Sequence, residues 1–204
     1  MKRFALLFMV SMFVCCCYAQ NLHFGIRGGL NISTESDREY PGITVSTAKF
    51  KPGVNIGGVI NYSITENIDV ELDVLYSTQG FKEDVYITVT DTPDDTKKTC
   101  TVTSHYINVP VVAKYFVVNG LYLEFGPQIG FLLSKKDNLE INNTDIYESS
   151  KTKKVDFGLA AGLGYEFTNR IFLNARYSHG FVGTSKIYDG GKNRNIQISL
   201  GYLF

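Results

Sequence analysis

The sequence predicts an all-β protein: an eight-stranded antiparallel up-and-down transmembrane barrel with short periplasmic turns and four long external loops. Three observations predict it. Eight segments alternate with a two-residue period, each presenting one apolar and one polar face, as strands wetted on one side do. Short turns and long polar loops alternate strictly between these segments, as they do in outer-membrane barrels. Aromatic residues on the apolar faces gather at the two ends of the segments, where the two membrane interfaces belong.

In chain order, Met1 to Ala19 reads as a secretory signal. Lys2 and Arg3 form its charged start, Ala5 to Val14 its apolar run, and Cys17-Tyr18-Ala19 a cleavage site before Gln20. Val14 stands where a lipoprotein motif needs a small residue, which argues against a lipid anchor at Cys15, Cys16 or Cys17. Residues 20–204 then form one barrel domain, in which Cys100 is the single cysteine and no intrachain disulfide can form.

The first strand, Leu22 to Ile32, sets Leu22, Phe24, Ile26, Leu30 and Ile32 against His23, Gly25, Arg27, Gly29 and Asn31. Ser33 to Pro52 follows as a long polar loop, and Gly53 to Ile64 alternates again. Thr65-Glu66-Asn67 joins it tightly to the third strand, Ile68 to Thr78, which places Ile68, Val70, Leu72, Val74 and Tyr76 opposite Asp69, Glu71, Asp73 and Ser77. After the long segment Gly80 to Thr103, a hairpin runs from Ile107 to Leu133. Its two arms meet at Asn119-Gly120, a strong hairpin signal. Each arm is at least as long as the roughly 9 to 11 residues that a tilted strand needs to cross a bilayer. The sixth strand is Val155 to Phe167, the seventh Ile171 to His179 after Thr168-Asn169-Arg170, and the eighth Asn195 to Phe204.

Which face is polar decides the solvent. A soluble barrel of this size wets its outside and lines an apolar cup. Here the glycine-bearing parity carries Arg27, Glu71, Asp73, Lys114, Glu124, Asp156, Glu166 and Arg176. An Arg or Lys facing lipid at the midplane costs roughly 2 to 4 kcal/mol, so these eight residues are assigned to the lumen as a charge network. Phe24, Tyr62, Tyr115, Tyr165, Phe167, Tyr202 and Phe204 mark one girdle, and Tyr76, Phe131, Phe157 and Tyr177 the other. Removal of Lys2 and Arg3 leaves 18 basic against 20 acidic residues, a formal charge of −2. No basic patch points to nucleic acid.

Ile107-Asn-Val-Pro-Val-Val-Ala-Lys-Tyr115, Leu123-Glu-Phe-Gly-Pro-Gln-Ile-Gly130, Asp156-Phe-Gly-Leu-Ala-Ala-Gly-Leu-Gly-Tyr165, Ala175-Arg-Tyr-Ser-His-Gly180 and the terminal Gly201-Tyr-Leu-Phe204 together resemble the PorT-like outer-membrane barrels of Bacteroidetes. The resemblance covers essentially the whole mature chain. It implies an eight-stranded barrel in a Gram-negative outer membrane, and through its name-giving member a link to type IX secretion and gliding. Phe204 resembles the terminal aromatic that the barrel-assembly machinery reads during insertion.

Eight strands enclose a space that side chains fill, so the lumen charges are expected to pair into a plug. A narrow channel is the alternative function. A second alternative, a lipid-modifying enzyme, rests on Ser104-His105 and Ser178-His179 near the external rim. Adjacent strand residues point to opposite faces, so neither pair can act as a nucleophile and its base. The chain is therefore expected to be no enzyme and to need no cofactor or metal. Asp137 to Asp145 lacks the glycine and ligand spacing of a calcium loop and reads as solvated. Between Gly80 and Thr103, Val85 to Thr90 and Thr99 to Thr103 are strand-like around the turn composition Asp91-Thr-Pro-Asp-Asp95. They predict a hairpin fin outside the membrane whose edge can pair with a protein partner.

Overall fold

The computed structural model describes residues 21–35, 49–87, 96–136, 140–141, 144–145, 153–183 and 191–204. The strands are β1 (Leu22–Glu35), β2 (Lys49–Thr65), β3 (Ile68–Ile87), β4 (Thr96–Val118), β5 (Leu121–Lys136), β6 (Glu140–Ile141), β7 (Thr144–Asp145), β8 (Val155–Glu166), β9 (Ile171–Gly183) and β10 (Lys192–Leu203). Eight of them close into one antiparallel barrel in the order β1-β10-β9-β8-β5-β4-β3-β2, and β6 and β7 pair with each other. Closure is made by β1 against β10, in register from Gly25↔Leu203 to Glu35↔Asn193. One more bond extends the seam, from the Phe204 amide to the Phe24 carbonyl at 2.7 Å.

The two-residue period fixes which way each side chain points. Leu30, Ile198 and Leu200 are 69%, 59% and 58% exposed on the outside, while Arg27, Asn31 and Ser199 between them are buried inside. This inverts a soluble protein's core, as a barrel with lipid around it and no water along its centre requires. Aromatics flank the outer apolar band: Phe24, Tyr115, Tyr165, Phe167, Tyr202 and Phe204 are exposed at one end, Phe131, Phe157 and Tyr177 at the other. At the Asn119-Gly120 turn Gly120 takes φ +83°, a conformation open to glycine without steric cost.

The strands reach further outward than the alternation predicts. Ser33 to Pro52 is not loop throughout, because β1 continues to Glu35 and β2 begins at Lys49. β9 continues to Gly183 and β10 begins at Lys192. Beyond the outer girdle neither face meets lipid, so no apolar face remains to mark a strand. Hydrogen bonds hold this collar instead: the Ser33 hydroxyl donates to the Gly80 carbonyl at 3.0 Å and accepts from the Gly80 amide at 2.9 Å. The predicted fin is present as backbone, with β3 and β4 paired without interruption from Leu75↔Asn108 to Ile87↔Thr96. At the other end β8 stops at Glu166 rather than Phe167, and β10 at Leu203 rather than Phe204. The Phe167 amide turns instead to the Ile171 carbonyl, 2.7 Å away, and Arg170 takes φ 64° to close that turn. Asp137 to Asp145, expected as a plain loop, contains the two-residue strands β6 and β7. The leader, Met1 to Ala19, and the turn Asp91 to Asp95 lie outside the described residues.

Candidate functional site in the lumen

Six of the eight predicted lumen charges meet in one layer. They come from five strands: Arg27 from β1, Glu71 and Asp73 from β3, Lys114 from β4, Glu124 from β5 and Arg176 from β9. None is more than 3% exposed. Arg27 reaches Glu71 Oε1 at 2.7 Å and Asp73 Oδ2 at 2.8 Å. Arg176 binds Glu124 through Nε at 2.5 Å and Nη2 at 3.0 Å, Asp73 at 2.6 Å, and Glu71 at 3.3 Å. Lys114 pairs with the second oxygen of Glu71. Three cations face three carboxylates, so the layer is formally neutral, as buried ions must be if they are to avoid a very large desolvation penalty. The arginine forks set the geometry, each gripping two or more carboxylates in the directional manner a lysine cannot match.

Two inward rings seat the cations. The Arg27 guanidinium lies 4.9 Å from the Phe172 ring centre, and the Lys114 ammonium lies 4.6 Å from Tyr122 and 5.3 Å from Phe172, within cation–π range. Room for these rings comes from glycines directly across the ladder. Phe172 pairs with Gly201, where a Cβ would meet the ring at 2.1 Å. Tyr122 pairs with Gly164, where a Cβ would stand 2.4 Å from the phenol oxygen. The glycines of the inward face are thus the complement of its large side chains.

Above the ionic layer the filling continues with amides and hydroxyls. Asn31 donates to the Ser77 hydroxyl at 3.1 Å, and Ser199 donates to Asn55 at 3.1 Å. Higher still, Gln79, Asn108, Gln128, Asp156, Ser178, Asn193 and Asn195 surround a cavity of only ≈ 10 Å³, about the space of one water. Near the outer opening Lys135 meets Glu35 at 3.3 Å and lies 5.6 Å from the Phe81 ring.

Asp156 and Glu166 do not join the network. Asp156 sits opposite Gly130 near the outer end and accepts a hydrogen bond from Asn193 at 3.3 Å. Glu166 lies at the other end of the same strand, lining a periplasmic vestibule of ≈ 480 Å³ with Glu66, Asp69 and Phe116. Sharing a parity with Glu124 placed both on the lumen face, but parity carries no height, and height separates them from the ions. Missed in the sequence was the Glu35–Lys135 pair, whose members fall in segments read as loops. Asp69, visible on the lumen parity, is held by Asn61 at 2.7 Å.

The rim serines and histidines diverge as adjacent residues must. Ser178 donates inward to Gln128 at 3.0 Å, and Ser104 is buried. On the outer face Nδ1 of His105 lies 2.7 Å from the Tyr76 hydroxyl, and Nδ1 of His179 lies 3.3 Å from that of Tyr177. Among the described residues no group of His, Cys, Asp and Glu is placed to hold a metal ion.

A solved structure shares the fold. Neisserial surface protein A superposes with a TM-score of 0.54 at 12% identity, over 89% of this chain and 97% of that one. OprG from Pseudomonas aeruginosa gives 0.48 at 18% identity, over 89% and 95%. At 12% identity the likeness to Neisserial surface protein A is one of fold alone. None of the curated proteins matches the chain significantly. A family model described as an outer membrane protein beta-barrel domain matches residues 18–185, most of the strands that build the closed, lipid-facing wall, and the chain belongs to that family.

Proposed function

We propose that this outer-membrane barrel is a structural or binding component that works through its external fin, with its lumen serving as a rigid, filled support. The observation that carries this reading is the neutral six-residue ion layer across the lumen, in which each carboxylate is bound by a cation. A filled lumen leaves the outer surface as the place for recognition. The fin supplies an edge there: β2 accompanies β3 only to Lys49↔Lys82, and β5 accompanies β4 only to Thr103↔Lys136. Beyond these pairs neither fin strand has an outer neighbour among the described strands, and an edge of this kind is a template for strand addition. The geometry of Ser104-His105 and Ser178-His179 supports a reading without catalysis.

The resemblance to PorT-like barrels supports a narrower proposal, a partner belonging to type IX secretion. It likewise supports a role for Phe204 in recognition by the barrel-assembly machinery. Co-purification from native outer membrane tests the main reading. A stable protein partner lost on deletion of residues 83–101 is the expected result, and recovery of the same partner without the fin overturns it. A narrow channel is the second reading, favoured by the periplasmic vestibule, which reaches Asp69 and Glu166. Single-channel recording separates the two: steady conductance by the pure barrel in planar bilayers selects the channel.

A further inference from the structure

Above the outer girdle the outer face of the barrel wall carries exposed cations. Outward lie Lys82 on β3, Lys136 on β5 and Arg194 on β10, with Lys153 and Lys154 exposed just before β8. Among the described side chains of the same zone the carboxylates turn inward: Glu35 and Glu83 are 3% and 4% exposed, and Asp156 binds Asn193 within the lumen. Lys136 and Arg194 make no ion pair among the described residues. The sign pattern therefore does not come from pairing within the wall.

Two tyrosine–histidine pairs stand at the base of this zone. Tyr76 and Tyr177 belong to the girdle, and each engages Nδ1 of a histidine on the lipid face, His105 and His179. The Tyr76 and His105 rings stack at 5.9 Å, and His179 also meets the Phe181 ring edge-on at 5.6 Å. With Nδ1 occupied and the ring held, Nε2 of each histidine is the nitrogen left to face the interface. Directly across the ladder from His179 stands Arg194, its Cβ about 5 Å away as in any antiparallel pair. Lys136 lies two residues beyond Ser134, which pairs with His105.

We propose that this rim binds the phosphate groups of the phosphorylated glycolipid, lipid A, that forms the outer leaflet around the barrel. Arg194 with His179 makes one phosphate seat, and Lys136 with His105 makes another. Height supports the assignment, because a strand rises about 3.3 Å per residue and Arg194 is only two residues beyond Ile196, the ladder partner of the girdle residue Tyr177. Phosphates lie just outside the girdle, where the acyl chains end. Arginine forks and histidine N–H groups match phosphate oxygens, and the acyl chains below meet the exposed girdle residues Phe131 and Tyr177. Partly desolvated cations attract anionic headgroups more strongly than fully hydrated ones, so a seat at the girdle is selective for headgroup phosphate.

The test uses the full barrel in nanodiscs of zwitterionic phosphatidylcholine, titrated with native lipid A or with phosphatase-treated lipid A and followed by native mass spectrometry. Lipid A with its phosphates is expected to remain bound, and the dephosphorylated form to bind at least tenfold more weakly. Arg194→Ala and Lys136→Ala should each weaken retention about fivefold, equivalent to about 1 kcal/mol per interfacial cation, and Arg194→Lys should restore most of it. Heat-modifiable gel mobility checks that each variant is folded. Equal binding of the two lipid forms by the native chain overturns the proposal. So does unchanged retention by folded Arg194→Ala and Lys136→Ala.

Discussion

Arg176 is where the ionic layer is most sensitive. It holds Glu124 through two bonds, at 2.5 and 3.0 Å, and shares Asp73 and Glu71 with Arg27. Arg176→Met keeps much of the volume but takes the layer from three cations against three carboxylates to two against three. Glu124 suffers most, since Asp73 keeps Arg27 while Glu71 keeps Arg27 and Lys114. Stranding a buried partner typically costs about 3–5 kcal/mol, roughly two to almost four decades in the folding equilibrium. Adding Glu124→Gln restores two against two, and the double variant should regain at least half of the loss. Urea unfolding from lipid vesicles, read by the gel mobility of folded against unfolded barrel, measures both changes. A single variant within 0.5 kcal/mol of the native chain would refute the reasoning, as would a double variant no more stable than the single.

Three further outcomes follow from the geometry. Gly201→Val places a side chain against the Phe172 ring, which a Cβ already meets at 2.1 Å; a loss of about 1–3 kcal/mol or more is expected, partly recovered by Phe172→Leu in the same denaturation assay. In the fin, amides aimed at the paired strand are bonded and no other described strand lies against its outer edges, so hydrogen exchange over residues 83–87 and 96–101 should alternate between slow and fast; uniformly fast exchange would contradict the β3–β4 pairing. Phe204→Ala should slow the appearance of folded barrel in pulse-labelled cells while changing the stability of refolded protein by less than about 1 kcal/mol, because the Phe204 main chain, not its ring, bonds Phe24.

The barrel and its inside-out polarity are legible in the residues because lipid leaves a strict record. Every second position from Leu121 to Phe131 must be apolar, and Glu124 cannot be on the same face. The record stops where the lipid stops, which is why Ser33, Lys51 and Lys135 read as loop although their backbones lie in strands. Within the lumen, parity placed Arg27, Glu71, Asp73, Lys114, Glu124 and Arg176 on one face but gave no depth. Depth depends on register, and so it also separated Asp156 and Glu166 from the rest. One signal for register was available: large inward residues such as Phe172 and Tyr122 must face a glycine, and matching Gly201 and Gly164 to them would have fixed the ladder.

The first and last strands of the wall are partners, Gly25 meeting Leu203, and the ion layer draws on β1 and β9 together. Glu124 therefore waits for Arg176, 52 residues further along the chain, and no fragment that stops before β10 can hide its apolar stripes. The cell must ferry the whole chain across the periplasm uncoiled, and the final zipping of the seam is the moment when greasy exterior and charged interior are both put out of reach of water.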